Sequence, residues 1–373
     1  MRWFLLATQE VSLQSLAMQA CFLIRTIPRT LQTRFPSLKT ISSARVSARR
    51  VLPECKTTTG IFWSRRFWRC IPIQNREISV ICTVYNEEEN INALVESLLS
   101  QSLKPKEIII TDGGSTDGTL EILKDLEEKH HTLKVYSVPG NRAKGRNAAI
   151  AKSTAEYIAV TDAGCVADPF WLEKISEPLF AGAEVASGFY EPVVQNPLEK
   201  AVAKMTIPSL KTVNPDTFLP SSRSVAFSKK AWETVDGYPE EFSHNEDTPF
   251  DLRLKSQGYT FVFVPDALVY WKPRSSFREV WRQFHQYAYG DGEALIQIRD
   301  YLLIFLRYIP LFFFPYGTFL AVLLWFLRLA KDFSKCLSIY TLPLRFTIDF
   351  ADMIGFIKGL KVAWTKWRKS KSS

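Results

Sequence analysis

The segment from Ile78 to Asp117 constrains this chain more than any other, because it sets strand, loop and helix patterns at the spacing of one supersecondary unit. Ile78 to Val84 is a continuous apolar, β-branched run, the pattern of a strand covered on both faces of a parallel sheet. It stops at the polar stretch Tyr85 to Asn90. From Ile91 the apolar residues fall at helical spacing (Leu94, Val95, Leu98, Leu99) until Pro105 closes the helix. Glu107 to Thr111 then starts a second strand and completes a βαβ unit. That strand runs into a second acidic loop, Asp112 to Thr119, ahead of a helix from Leu120 to Lys129. Open α/β sheets bind ligands beyond the carboxyl ends of their strands, which is where both acidic loops lie.

Charge narrows the class of partner. The net charge of +9 is unevenly distributed: residues 1–76 hold 13 Lys/Arg against two acids and residues 331–373 nine against three, which leaves residues 77–330 at −8. A nucleic-acid binder carries its basic surface on the folded domain, so this distribution excludes nucleic acid as partner. Basic ends suit an anionic membrane surface. The six cysteines form no CxxC pair and no ligand-like cluster with the four histidines, which argues against a disulfide framework or zinc site and for a reducing compartment. Residues 1–76 read either as an Arg-rich targeting peptide or as a disordered extension outside the core. The second reading is adopted, since Gln9, Glu10, Gln14 and Gln19 interrupt any secretory apolar run.

Further along, Leu133 to Val138 is a third strand, and Pro139 to Asn147 is a glycine-containing basic loop leading to a helix from Ala148 to Ser153. Arg142, Lys144 and Arg146 would then place cations at a helix N-terminus, a site that suits a diphosphate, although a solvated basic turn has the same composition. Glu156 to Thr161 is a fourth strand ending at Asp162. Asp168 and Pro169 read as a helix cap and first helical residue, preferred over a metal-binding role for Asp168. Glu184 to Tyr190 is a strand, Asn196 to Pro220 a low-pattern stretch suited to acceptor-side loops, Ser221 to Phe227 a strand and Lys229 to Val235 a short helix. Glu246 and Asp247 precede another helix that ends at Gly258, and Tyr259 to Val264 and Ala267 to Trp271 are two short strands.

The stretch Val84 to Asn90 (Val-Tyr-Asn-Glu-Glu-Glu-Asn) followed by Asp112 to Thr119 (Asp-Gly-Gly-Ser-Thr-Asp-Gly-Thr) resembles the opening signature of the family 2 glycosyltransferases, and the likeness extends to about Trp271, roughly half of the chain. The resemblance implies a GT-A fold, an α/β Rossmann-like open mixed sheet of the nucleotide-diphosphosugar transferases. It also implies an inverting enzyme with a nucleotide-diphosphosugar donor and a glycan or lipid-linked acceptor. Carried over residue by residue, Thr83, Val84, Tyr85, Glu87 and Asp112 would contact the donor's base and ribose. Lys144, Arg146 and Asn147 match the family's Arg-Asn helix on the donor side. Asp162 would face the ribose and any Mg²⁺ or Mn²⁺ on the diphosphate, and Asp247, with Glu246 beside it, would be the general base on the acceptor hydroxyl. Gly164 stands where the family carries the second Asp of an Asp-x-Asp, which puts metal dependence in doubt. The same loss motivates the alternative of an inactive nucleotide-sugar or glycan-binding relative.

The C-terminal part, from residue 276, changes character. Ser276 to Ile298 reads either as an interfacial amphipathic helix or as a helix over the acceptor site. Tyr308 to Leu327 is twenty residues without a charge, long enough to span a bilayer, whereas Arg345, Asp349 and Asp352 interrupt the apolar pattern of Cys336 to Ile357. The chain is thus expected to hold a leader (1–76), a catalytic domain (77–275) and a membrane-associated helical region (276–373), with the catalytic domain on the cytosolic face. A cytosolic tail by the positive-inside rule conflicts with a single span, so shallow or in-plane packing of the second segment, with Pro310 and Pro315 breaking the first, is the expected arrangement.

Overall fold

The computed structural model describes residues 77–309, 316–336 and 338–372, so both readings of the leader, and both prolines at 310 and 315, fall outside the described residues. The expected βαβ unit is present at its expected bounds. β1 (Ile78–Val84) is buried except at Thr83, α1 (Ile91–Leu99) turns Ile91, Leu94, Val95 and Leu98 inward, and β2 (Glu107–Asp112) is buried throughout. α2 (Thr119–Lys129), β3 (Leu133–Ser137), α3 (Arg142–Lys152) and β4 (Tyr157–Val160) follow. β1 runs parallel to both β2 and β4, and β2 parallel to β3, so the chain leaves β1, β2 and β4 on the same side of the sheet.

Beyond β4 come β5 (Cys165–Ala167), α4 (Trp171–Phe180), β6 (Val185–Pro192), α5 (Pro197–Thr206), β7 (Val225–Ser228), α6 (Lys229–Thr234), α7 (Asp247–Ser256) and β8 (Phe261–Trp271). They complete one mixed sheet in the order β3-β2-β1-β4-β7-β6-β8-β5, in which β7 is antiparallel to both of its neighbours. Alternate residues of the continuous apolar strands serve opposite cores. Val80, Cys82, Ile108 and Ile110 pack with α1, α2 and α4, while Ile81, Ile109, Ile158 and Val160 pack with α3, α6 and α7. Each fully buried aliphatic side chain contributes roughly 1.5–3 kcal/mol, which is why the unbroken apolar pattern holds its register.

Several elements differ from expectation, each for a local reason. α3 begins at Arg142 rather than Ala148, because the Asn141 side chain accepts from the Lys144 N–H at 3.0 Å and nucleates the turn. The basic residues read as loop therefore lie within a helix. α5 forms inside the stretch read as loop: Asn196 caps it by accepting from the Glu199 N–H at 2.9 Å, Pro197 opens it, and Ala201, Val202 and Met205 are buried. The two short strands expected over 259–271 are one eleven-residue strand, β8, with a register shift opposite Ser187 and Phe189. α4 starts at Trp171 without a side-chain cap. Asp168 instead accepts from the Phe170 N–H and the Tyr270 hydroxyl, bracing the turn before the helix.

The C-terminal region is helical: α8 (Phe277–Ala294), α9 (Ile298–Tyr308), α10 (Tyr316–Lys335) and α11 (Thr341–Ser372). Among the described residues no helix is long and apolar enough to cross a membrane. The uncharged run from Tyr308 to Leu327, read as one candidate span, is shared between the end of α9 and the start of α10. Two of the charges that interrupt the following segment, Arg345 and Asp349, are paired inside the bundle. Arg345 binds Asp332 at 2.7 Å and Asp349 at 3.3 Å, and Asp349 also takes Arg307 at 2.6 Å and the Tyr308 hydroxyl at 3.0 Å.

α8 and α11 pack backbone against backbone through glycines. A Cβ on Gly359 would collide with the Tyr289 carbonyl oxygen, one on Gly355 with that of His285, and one on Gly292 with that of Phe356. Only glycine permits this approach, the arrangement of a Gly-xxx-Gly helix pair. Gly359→Leu is expected to destabilise the fold by about 1–3 kcal/mol through forced separation of the two helices. A urea midpoint equal to that of the parent chain would show that the contact does not carry stability.

Candidate active site

The two acidic loops fold as one unit, because each supplies the polar partners of the other. The Asn86 N–H donates to Ser115 Oγ at 2.9 Å, the Thr116 N–H to Asn86 Oδ1 at 2.8 Å, the Glu87 N–H to Thr119 Oγ1 at 2.8 Å, and the Gly118 N–H to Glu88 Oε2 at 2.7 Å. Much of the acidity that marks these loops in the sequence therefore serves their own backbone. Asp112 is an example. Its carboxylate is buried and accepts from the Gly114 and Ser115 N–H groups and from Ser115 Oγ, which shapes the second loop.

Beyond these strand ends lies a cleft of about 400 Å³. Thr83, Val84, Tyr85 and Glu87 line it from the first loop, Gly113 from the second, Arg142 and Arg146 from α3, and Asp162 from the end of β4. Asn245 to Thr248 line it from the start of α7, and Gln283, Gln286 and Tyr287 from α8. α8 therefore forms one wall of the site, in keeping with the reading that places this helix over it. Of the residues singled out in the sequence, Thr83, Val84, Tyr85, Glu87, Arg146, Asp162, Glu246 and Asp247 meet in this cleft. Asp112, whose carboxylate is turned into its own loop, Lys144 and Asn147 do not line it. Lys144 donates to the Pro139 carbonyl at 3.0 Å, and Asn147 joins Trp232, Tyr238 and Glu240 on the far side of α3.

Arg146 is fully buried and spends its guanidinium on two carboxylates: one nitrogen binds Asp162 at 2.7 Å and another binds Glu246. It is thus a strut between the acid that follows β4 and the acid that precedes α7 rather than the free cation that its place in a basic stretch suggests. Burial pushes the Asp162 carboxyl up, but Arg146, with help from Arg223 and Arg142, outweighs it and holds the group below the ordinary carboxylate value. Asp247 behaves in the opposite way. Burial, then the neighbouring Glu246, raise its pKa against the pull of Arg146. Its oxygens accept from the Thr248 N–H at 3.0 Å and the Ser222 N–H at 3.4 Å, which fixes the carboxylate at the first turn of α7. A carboxylate held in place with a raised pKa is suited to accepting a proton.

Gly164, which the resemblance aligns with the second Asp of an Asp-x-Asp, has a φ of +74°. The acid that faces it comes from the first loop: Glu87 Oε2 lies 3.8 Å from where a Cβ on Gly164 would stand. Asp162 and Glu87 together make too few ligands for an all-protein cage. Among the described residues no group of three or more His, Cys, Asp or Glu side chains is placed to hold a metal ion, and Asp162 already binds Arg146; one or two carboxylates are nonetheless the number that a Mg²⁺ held largely by substrate phosphates and water takes from a protein.

The sequence pattern gave no sign of Arg223, Tyr190 or Trp271. Arg223 lines the cleft with its guanidinium over both rings, 5.0 Å from the Tyr190 centroid and 4.7 Å from that of Trp271.

Residues 79–234 match the family model described as glycosyl transferase family 2, and residues 202–348 that of glycosyl transferase family group 2. The chain is 28% identical over 262 residues to the succinoglycan biosynthesis protein ExoA of Rhizobium meliloti, a match covering 66% of this chain and 78% of ExoA. It is 28% identical over 238 residues to the poly-β-1,6-N-acetyl-D-glucosamine synthase of Staphylococcus epidermidis, covering 59% of this chain and 56% of the synthase. The mannosyltransferase PcManGT of Pyrobaculum calidifontis, solved with GDP-Man and Mn²⁺, superposes with a TM-score of 0.50 at 17% identity, covering 79% of this chain and 92% of that one. That likeness bears on the fold alone.

Proposed function

We propose, for a chain that is a family 2 glycosyltransferase by its sequence and has the GT-A fold, that it moves a sugar from a nucleotide-diphosphosugar donor to a hydroxyl acceptor in one inverting displacement. The observation that carries this reading is the placement of Asp162 and Asp247 on one cleft, linked through Arg146 and Glu246. Tyr85, largely exposed at the cleft, is placed to stack on the donor's base, and the loop shaped by Asp112 lies beside it. Asp247 takes the acceptor's proton as its oxygen attacks the anomeric carbon, and the nucleoside diphosphate leaves from the opposite face. A direct displacement asks for no covalent carboxylate nucleophile. Asp162 and Glu87 would hold a divalent cation, which when bound with the donor would neutralise charge on the diphosphate.

The acceptor belongs to lipid-linked or envelope glycan synthesis in this reading. Support comes from the relatives named for succinoglycan and poly-β-1,6-N-acetyl-D-glucosamine synthesis. It also comes from the C-terminal helices, which turn Leu302, Leu306, Phe319, Val322, Phe326 and Leu327 to the outside while their ion pairs lie within. Such a bundle suits shallow, in-plane packing on a membrane, anchored by the basic, Trp-bearing end of α11, with the catalytic domain on the cytosolic face where nucleotide sugars are made.

A panel of nucleotide sugars, read by thermal stabilisation and by donor hydrolysis on the full chain, tests this reading. One donor class is expected to stabilise the protein and to be slowly hydrolysed. Stabilisation without hydrolysis or transfer would favour the inactive, binding-only relative that the loss of a carboxylate at Gly164 suggests, and no response to any donor would remove the donor-site assignment.

A further inference from the structure

We propose that Arg223 is a phosphate-holding residue, taking the oxyanion at the junction of the donor and acceptor halves of the cleft. The proposal rests on the glycosyltransferase reading above.

Arg223 lies in the turn that precedes β7, and four elements fix its guanidinium. Tyr190 of β6 and Trp271 of β8 take it against their rings, Tyr287 of α8 accepts from one terminal nitrogen at 3.2 Å, and Ser221 Oγ accepts from the other at 3.0 Å. The adjacent residue, Ser222, gives its N–H to Asp247, so Arg223 stands next to the base, and its charge is also felt at Asp162. It makes no ion pair among the described residues, in contrast to Arg146, whose charge is met by two carboxylates. A guanidinium flanked by aromatic rings and hydroxyls is held flat and has lost much of its hydration. Its charge is left for a ligand, and its planar fork matches a phosphate. In a cleft lined by Glu87, Asp162, Glu246 and Asp247, a fixed arginine supplies positive charge that does not depend on a bound cation.

Two phosphates could reach this junction: the β-phosphate of the donor, or the phosphate of a lipid-linked acceptor. Binding of UDP, GDP and the corresponding monophosphates is measured by calorimetry on the full chain, in excess chelator and again with Mg²⁺. Binding to vesicles with and without a polyprenyl phosphate is measured beside it. Arg223→Gln is the principal variant. Arg223→Lys, which keeps the charge and loses the fork, guards against a folding defect, and unchanged thermal midpoints qualify both.

If the donor is the source, the preference for diphosphate over monophosphate, present in the parent chain with and without Mg²⁺, falls roughly 10- to 100-fold in Arg223→Gln and partly in Arg223→Lys. If the acceptor is the source, that preference survives and the gain from polyprenyl phosphate is lost. Both gains intact in Arg223→Gln would overturn the proposal and leave Arg223 as a packing residue. Absence of any nucleotide binding by the parent chain would instead overturn the donor-site reading, and this proposal with it.

Discussion

Replacing Asp247 by Asn lowers glycosyl transfer by roughly 10²–10⁴-fold while donor affinity stays nearly intact, because a general base acts on the acceptor in the transition state and not on the bound donor. The substitution removes the proton-accepting oxygen and preserves shape, and of the Ser222 and Thr248 N–H groups, which donate to different oxygens of the carboxylate, one keeps a carbonyl to donate to. The pH profile adds a second reading. The base works as a carboxylate, so transfer falls as pH drops through its pKa. Since burial and Glu246 raise that pKa, the acid limb lies above the range of an ordinary aspartate. The residual activity of Asp247→Asn loses this limb. Transfer at near the parental rate would mean that Asp247 serves the helix start and the base lies elsewhere.

Removing the guanidinium of Arg146 has the largest expected effect on stability. In Arg146→Met the carboxylates of Asp162 and Glu246 lose their shared counter-charge. Glu246 is enclosed, and such an uncompensated pair costs about 3–5 kcal/mol. The loss lies toward the lower end because Asp162 is partly open to the cleft, where water can screen it. The fall in unfolding free energy is measured by denaturant titration, and adding Glu246→Gln should recover part of it by removing one of the stranded charges. A change below about 1 kcal/mol would show that the pair is solvated and does not tie the two halves of the site together.

The parts of this fold legible in the sequence are those where one strong pattern dictates the answer. β1 and β2 carry unbroken apolar runs, Val80 to Cys82 and Ile108 to Ile110, because both faces are covered, and α1 carries its buried residues at the spacing expected of a helix on a sheet. Elements were missed where a side-chain cap, not an apolar repeat, decides. Asn141 starts α3 within basic residues and Asn196 starts α5 within polar ones, and a capping bond to a backbone N–H leaves no periodic trace. β5 has three residues and exists because β8 offers it an edge, a fact about a partner distant in sequence. The uncharged run at Tyr308 gave no hint that Tyr308 and Arg307 would both be drawn to Asp349, which ties the end of α9 to α11.

The site divides in the same way. Asp162 and Asp247 were readable because each follows a recognisable element, in the order that the family resemblance supplies. The ion pairs of Arg146 leave no trace in the sequence, because residue type alone does not distinguish a cation facing a ligand from one already matched by two carboxylates. Arg223 stood outside the reading altogether: its surroundings come from β6, β8 and α8, which the topology brings together and the sequence keeps apart.

The account centres on one direct displacement across the cleft, with Asp247 on the attacking side and the diphosphate leaving from the other. Proton NMR of the first sugar released, by transfer or by slow hydrolysis, from a nucleotide donor of known anomeric configuration tests this most directly. An α-configured donor giving a β-configured product is the predicted result. An α-configured product would contradict it and require a second displacement that the cleft, as described, does not provide.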